Sequence, residues 1–330
     1  MTFRLVQYLT SSGDRAVAVL EGTGAAVRLD GVTTVRDLAL SAIASGHTLS
    51  AVVREKMATE TVDLSAAESE GRLLVPIDHP DPAHLHMTGT GLTHLGSAEG
   101  RDKMHKAAAG GAETDSMRMF RMGLEGGKPA SGQVGAQPEW FYKGNGSGLV
   151  ATGGALTSPD FALDGGEEPE IAGIYIIDEE GTPRRLGFAL ANEFSDHVTE
   201  RGNYLWLAHS KLRPAALGPE ILLGELPDDV RGTSRIVREG QVLWEKPFLS
   251  GEANMSHSLA NLEHHHFKYD VFRQPGDIHV HFFGTATLSV ADGIETREGD
   301  RFEIEAAPFW LGLKNTLVRG APHDVIVRSL

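Results

Sequence analysis

Glycine most limits what this chain can fold into. It supplies 39 of 330 residues, spread between short apolar segments rather than gathered into one linker. That share exceeds the usual ~7%. The excess implies many tight turns, and turns separating short β-branched or aromatic runs imply many strands. The spacing predicts strands at 3–9, 15–20, 72–76, 171–177, 185–191, 204–208, 221–224, 234–237, 241–245, 278–283, 287–290 and 301–305. Helices are predicted at 34–45, 49–59, 98–109, 113–122, 196–201 and 256–268. Strand and helix do not alternate regularly, so a doubly wound sheet or an α/β barrel is disfavoured. The expected fold class is α+β and β-rich. A small α+β N-terminal domain (1–80) is followed, after the proline-broken stretch 78–83, by a larger domain (81–330) of mixed strands.

Charge and composition then exclude whole classes of function. Acidic residues number 45 against 30 Lys and Arg, a net charge of −15, which argues against a nucleic-acid partner, because phosphate neutralisation needs a basic excess. Without cysteine there is no disulfide, thiolate metal site or cysteine nucleophile. No uncharged apolar run approaches membrane-spanning length and no basic-then-apolar leader opens the chain, so a cytoplasmic protein without a membrane partner is expected. Gly123–Lys128 reads GLEGGK and is followed by Pro129, lacking the spacing and the Ser/Thr of a phosphate loop. Neither G-x-S-x-G nor H-E-x-x-H occurs, leaving a serine triad or a zincin helix unsupported.

The carboxylates say more. Glu168-Pro169-Glu170 opens the apolar run Ile171–Ile177, and in extended chain both acids point to one face. Two carboxylates on one face repel unless a cation lies between them, and oxygen ligands of this kind suit a hard divalent ion. Taken alone, an E-x-E pair is more often a solvated acidic turn. A second segment, Gly187 to Asp196, runs an apolar strand into Asn192-Glu193 and then a helix start, with Ser195 as the expected cap. A carboxylate there is costly to desolvate without a partner, so Glu193 is a candidate third ligand.

Five ordered motifs spanning roughly residues 86–315 resemble the fumarylacetoacetate hydrolase superfamily. They are Glu168-Pro169-Glu170-Ile171-Ala172; Gly187 to Ser195 with Asn192-Glu193; Lys211 ahead of Gly218-Pro219; Pro275-Gly276-Asp277; and Gly284-Thr285. Trp140-Phe141-Tyr142-Lys143 looks like the family's F-x-K strand. The segments His86–His94 and Glu252–His257 resemble the branch of 2-keto-3-deoxy-arabinonate dehydratases.

The resemblance implies a β-roll or sandwich of mixed strands, a homodimer, and a 2-oxoacid substrate chelated through its carboxylate and keto oxygens. It implies Mg2+, with Mn2+ or Ca2+ as alternatives, on Glu168, Glu170 and Glu193; Glu193 stands where the family more commonly has aspartate. It places Lys211 near the reacting atoms, Thr285 on the substrate carboxylate, and Lys143 and Ser195 in the pocket. Hydrolytic members carry G-x-N-Y-x-x-H-x-x-E, whereas here Gly91–Glu99 displaces the histidine, leaving His94 and Glu99 as the candidate acid–base pair. The reading that follows is a dehydratase of a 2-keto-3-deoxy pentonate or hexonate. Alternatives are C–C hydrolysis of a 2,4-diketo acid or acylpyruvate, and a non-catalytic sugar-acid binder.

Histidine offers a rival site. His257, His264, His265, His266, His279 and His281 crowd one stretch, and His279 and His281 share a strand face. Imidazoles suit Zn or Fe, so a cupin-like centre is conceivable, but the three consecutive histidines diverge on a helix and no glutamate sits at triad spacing. Packing or dimer contact is the better expectation.

Overall fold

The computed structural model describes residues 2–22, 24–96 and 114–330. Among them, two sheets organise the molecule. The larger has as its central run, in spatial order, Phe3–Leu9, Glu220–Leu222, Pro183–Asn192, Pro169–Ile177, Ile278–Phe282, Leu85–Gly91 and Glu139–Asn145. Arg15–Glu21, Ala26–Leu29 and Met57–Val62 extend it beyond Phe3–Leu9. The smaller sheet runs Gln241–Ser250, Val230–Arg238, Arg301–Ala306, Leu313–Arg319, Ala155–Ser158. This is the expected strand-rich α+β fold.

Alternation along each strand decides where the core sits. Phe188, Leu190 and Phe283 of the larger sheet meet Trp244, Phe248, Phe302, Ile304 and Leu317 of the smaller one in one apolar layer. The opposite face carries Leu5, Val19, Ile174, Ile176 and Val280, covered by Val35, Leu38, Val52 and Val53 of helices Val35–Ser45 and Leu49–Lys56. Pro169–Ile177 is buried along its whole length, as its unbroken apolar sequence requires. The N-terminal strands share this sheet and core with the rest of the chain, Arg4 to Val6 pairing with Leu222 to Glu220. The first 80 residues also hold a cluster of their own, in which Val6, Tyr8, Ala18 and Leu20 pack with Leu64, Ala67 and Leu73.

Some local expectations are corrected. The 204–208 strand is a 3-10 turn, Tyr204–Trp206, followed by a helix at Leu207–Lys211. Asn203 starts it by accepting the Leu205 N–H at 3.0 Å, which outweighs the aromatic β-preference. The 287–290 strand is also a 3-10 turn, because the Ser289 N–H and hydroxyl both go to Glu167, at 2.9 and 2.8 Å. The helix expected through 59 stops at Lys56, and Met57–Val62 joins the sheet. Residues 72–76 form only an isolated bridge, Leu73 to Tyr8. The cap of helix His197–Gly202 is Asp196, not Ser195. The helix expected at 98–109 lies outside the described residues.

Candidate metal centre

Three elements end at one place. Glu168 and Glu170 enter the central strand, and Glu170 lies on the face of Ala172, Ile174 and Ile176, opposite Ala191 of the neighbouring strand. Glu193 follows that neighbour's last residue, and its N–H binds the Glu168 carbonyl at 3.0 Å. The Asn192 side chain ties the two together by accepting the Glu168 N–H at 3.2 Å. On the other side, strand Ile278–Phe282 delivers Gly284, whose N–H binds Glu170 Oε2 at 2.7 Å. Carboxylate oxygens of Glu168, Glu170 and Glu193 lie within 4.8 Å of one another, all three residues buried; among the described residues no other cluster of His, Cys, Asp or Glu gathers in this way. The spacing argument for a shared face therefore holds, and Glu193 joins it.

Two buried lysines enter the same knot. Lys211 donates to Glu168 Oε1, to Glu193 Oε2 at 2.6 Å and to Ser195 Oγ at 3.2 Å. Lys143 donates to the Phe194 carbonyl and pairs with Glu193 Oε1 at 2.5 Å. The Ser195 hydroxyl reaches both Glu193 oxygens at 3.2 Å, so its place is under the acid rather than at a capped helix. Thr285 lines the cavity beside Gly284.

The electrostatics are unequal. Burial would lift the Glu168 carboxyl, but Lys211 and His197 hold it well below the usual carboxylate range. Burial also opposes charge on Lys211, yet Glu168 and Glu193 outweigh it and hold its ammonium above the ordinary lysine range. Glu170 has no basic side chain bonded to it, and burial with Glu193 and Glu168 beside it pushes its carboxyl well up. Glu193 is also raised, burial winning over Lys143 and Lys211, and burial lowers Lys143.

These features fit a hard divalent cation. The acids exceed the bases, the least compensated carboxyl is Glu170, and a positive charge among them would remove the penalty that keeps it protonated. The cavity they share with Thr90, Phe141 and Lys211 measures about 20 Å³, room for about one water-sized occupant. A much larger cavity, about 940 Å³, lies elsewhere, between Leu40 and Ile43 of a helix and the turn at Asp178–Thr182, away from the three glutamates.

Two supporting residues escaped the sequence reading. His197 Nε2 lies 3.1 Å from Glu168 Oε1 and its Nδ1 3.4 Å from Asp164 Oδ2. Burial opposes a charged ring, but Asp164 and Glu168 raise its pKa to about 10. A Cβ on Gly166 would stand 2.5 Å from that ring, so glycine here makes room for it. The one available signal was the Asp196-His197 pair directly after Asn-Glu-x-Ser. Gly89 has a similar role: a Cβ there would lie 2.4 Å from the Phe141 ring, and that ring carries the Lys211 ammonium at 4.9 Å. Gly89→Ala is expected to lower stability by about 1–3 kcal/mol through overpacking, read as a shift of the urea midpoint at unchanged m-value; an unshifted midpoint would show that the ring yields freely.

The expected acid–base pair is not gathered with the acids. His94 is enclosed, with Thr93 Oγ1 at 3.1 Å and Ser250 Oγ at 3.1 Å, and burial lowers its pKa to about 3. It supports the Gly284 loop from behind, 3.5 Å from where a Cβ would stand on that glycine. Glu99 lies outside the described residues. The histidine cluster packs instead of ligating: His266 meets His279 at 3.0 Å and stacks on His281, and Trp140 Nε1 donates to His266 Nδ1 at 3.3 Å.

The chain shares its fold with several solved structures. Among solved structures, the chain is similar to 2-keto-3-deoxy-D-arabinonate dehydratase complexed with magnesium and 2,5-dioxopentanoate, at 19% identity and TM-score 0.69, over 96% of this chain and 99% of that one. A second crystal form of 2-keto-3-deoxyarabinonate dehydratase gives TM-score 0.72 at 19% identity, over 97% and 100%. A 5-carboxymethyl-2-hydroxymuconate delta-isomerase from Mycobacterium smegmatis gives 0.58 at 18% identity, over 97% and 100%. No family model and no curated protein sequence matches the chain. Among the described residues, no helix is long and apolar enough to cross a membrane.

Proposed function

We propose that this protein is a divalent-cation-dependent dehydratase of a 2-keto-3-deoxy sugar acid, with Mg2+ as the first candidate. The observation that carries this reading is the convergence of three buried glutamates within 4.8 Å around a space of ion size. Similarity in fold to a dehydratase complexed with magnesium and 2,5-dioxopentanoate supports it.

Glu168, Glu170 and Glu193 would hold the cation, which when bound supplies a Lewis acid for a 2-oxo group. The chain's own residues complete the requirements. Gly284 fixes Glu170 through its N–H, and His197 with Asp164 fixes Glu168; such outer contacts orient ligands. Lys211 lines the cavity and brings a positive charge to the side where negative charge develops as a C3 proton leaves. Thr285, at the cavity wall, is placed for the substrate carboxylate. Loss of the C3 proton and the C4 hydroxyl together releases one water and leaves the carbon skeleton whole. Hydrolysis of a diketo acid at the same site would instead consume water and split a C–C bond.

Product analysis tests the reading. Incubation with 2-keto-3-deoxy pentonates and hexonates plus Mg2+ is expected to give a product 18 mass units lighter (the mass of the water lost), abolished by chelator. Two shorter fragments from an acylpyruvate would favour the hydrolase, and binding without turnover of any 2-oxoacid would sink both.

A further inference from the structure

Each oxygen of the three glutamates has a distinct occupancy. Glu193 is taken at both: Lys143 holds Oε1 and Lys211 holds Oε2, with Ser195 Oγ 3.2 Å from each. Glu168 Oε1 receives both Lys211 and His197. Glu170 Oε2 receives the Gly284 N–H. Among the described residues no hydrogen bond reaches Glu168 Oε2 or Glu170 Oε1. Two of the acids thus offer an oxygen, while the third is closed by lysines.

A hard cation and an ammonium seek the same charge, and they repel at this separation. Lys143 sits at the far side of Glu193, anchored also to the Phe194 carbonyl. Lys211 differs because it bridges Glu168 to Glu193, two members of the set, and lies on the cavity wall. Its nitrogen also lies over the Phe141 face at 4.9 Å, a contact that does not depend on the acids, and Glu200 contributes to holding its charge. An ammonium over an aromatic face keeps part of its stabilisation.

We propose that the Lys211 ammonium and the divalent cation compete for Glu168 and Glu193, so that cation loading releases Lys211 from its bridge toward the cavity. The inference rests on the cation-dependent reading of the site. Its consequence is an order of events: before loading, Lys211 is spent on the acids; after loading, its three N–H donors are available to a substrate.

Mn2+ binding measured by calorimetry tests it in wild type, Lys211→Met, Lys143→Met and Glu170→Gln. Competition predicts at least about tenfold tighter binding for Lys211→Met, and for Lys143→Met, which removes an equal charge without unblocking Glu168, less than about threefold. Unchanged or weaker binding in Lys211→Met, with binding lost in Glu170→Gln, overturns the competition and leaves the metal site standing. Wild-type affinity in Glu170→Gln overturns the site itself and the competition with it. A second measurement needs no variant: reductive methylation with peptide mapping should label Lys211 in Mg2+ and spare it in chelator. Labelling indifferent to Mg2+ contradicts the release.

Discussion

Glu170→Gln is expected to cut cation-dependent turnover by roughly 10²–10³-fold, the scale of losing a main electrostatic contributor, while leaving the metal-free fold at least as stable as wild type. The asymmetry follows from the site's charge state. Without a cation, burial and the neighbouring Glu193 and Glu168 push the Glu170 carboxyl well up, so an amide of nearly the same shape spares the fold the cost of that buried acid, and the Gly284 N–H still finds an oxygen. With cation present the two proteins part. Wild type should gain about 2.7 kcal/mol at a cation concentration one hundred times its Kd, whereas the variant has lost an anionic ligand and should gain almost nothing. Thermal unfolding with and without Mg2+ reads this independently of any substrate. An equal Mg2+ shift in both proteins would remove Glu170 from the ligand set.

The acids were legible in the sequence because their signal is local. Glu168 and Glu170 alternate across Pro169 and must share a face in an extended strand, and Asn192-Glu193 ends another strand. The meeting of those strands was not local: it depends on Ala191 pairing with Glu170 and on the Asn192 side chain holding the Glu168 N–H. Only the resemblance, which orders the motifs, anticipated it. The same distinction explains the misses. His197 belongs to none of the motifs, and its role appears only when Asp164, some thirty residues back, lies against it. His94 stood out as the displaced histidine of the lid motif, yet its ring is enclosed between Thr93 and Ser250. Tyr204–Ala208 shows propensity losing to capping, since one asparagine oxygen started a turn where three large residues favoured a strand.

Chelator-treated protein should lose stability more steeply below pH 4.5 than between pH 6.5 and 4.5. Six buried histidines favour the neutral ring: His94 and His281 at about 3, His257 at about 4, His265 below the usual range, and His266 and His279 well below it, burial being the first cause in each. Below 6.5 the unfolded chain takes up protons that these folded rings refuse, so each subtracts about 1.4 kcal/mol per pH unit as the pH falls. Four buried acids act in the opposite sense. Glu167 at about 7, with Glu170, Glu193 and Glu220 all raised by burial, hold protons in the folded state that the unfolded chain releases above 4.5. As the pH falls toward 4.5 each acid adds stability once below its raised folded pKa, and these gains offset part of the histidine loss. Beneath 4.5 the acids are protonated in both states and their compensation ends. Histidines still neutral there each cost about 1.4 kcal/mol per pH unit, joined by Glu168 and Asp164, whose lowered carboxyls in the folded state give up their stabilisation there. On the alkaline side His197, at about 10, keeps its proton when folded and loses it near 6.5 when unfolded, so stability falls by about 1.4 kcal/mol per unit from 6.5 toward 10. Urea midpoints from pH 8 to 3.5 should fall more steeply below 4.5 than above it; an unchanged slope through 4.5 would mean that the four acids are ionised in the fold. Glu170→Gln removes one of those four, so relative to wild type its stability should fall further as the pH drops from 6.5 toward 4.5, tying the proton uptake of the whole fold to the same carboxyl that would meet the cation.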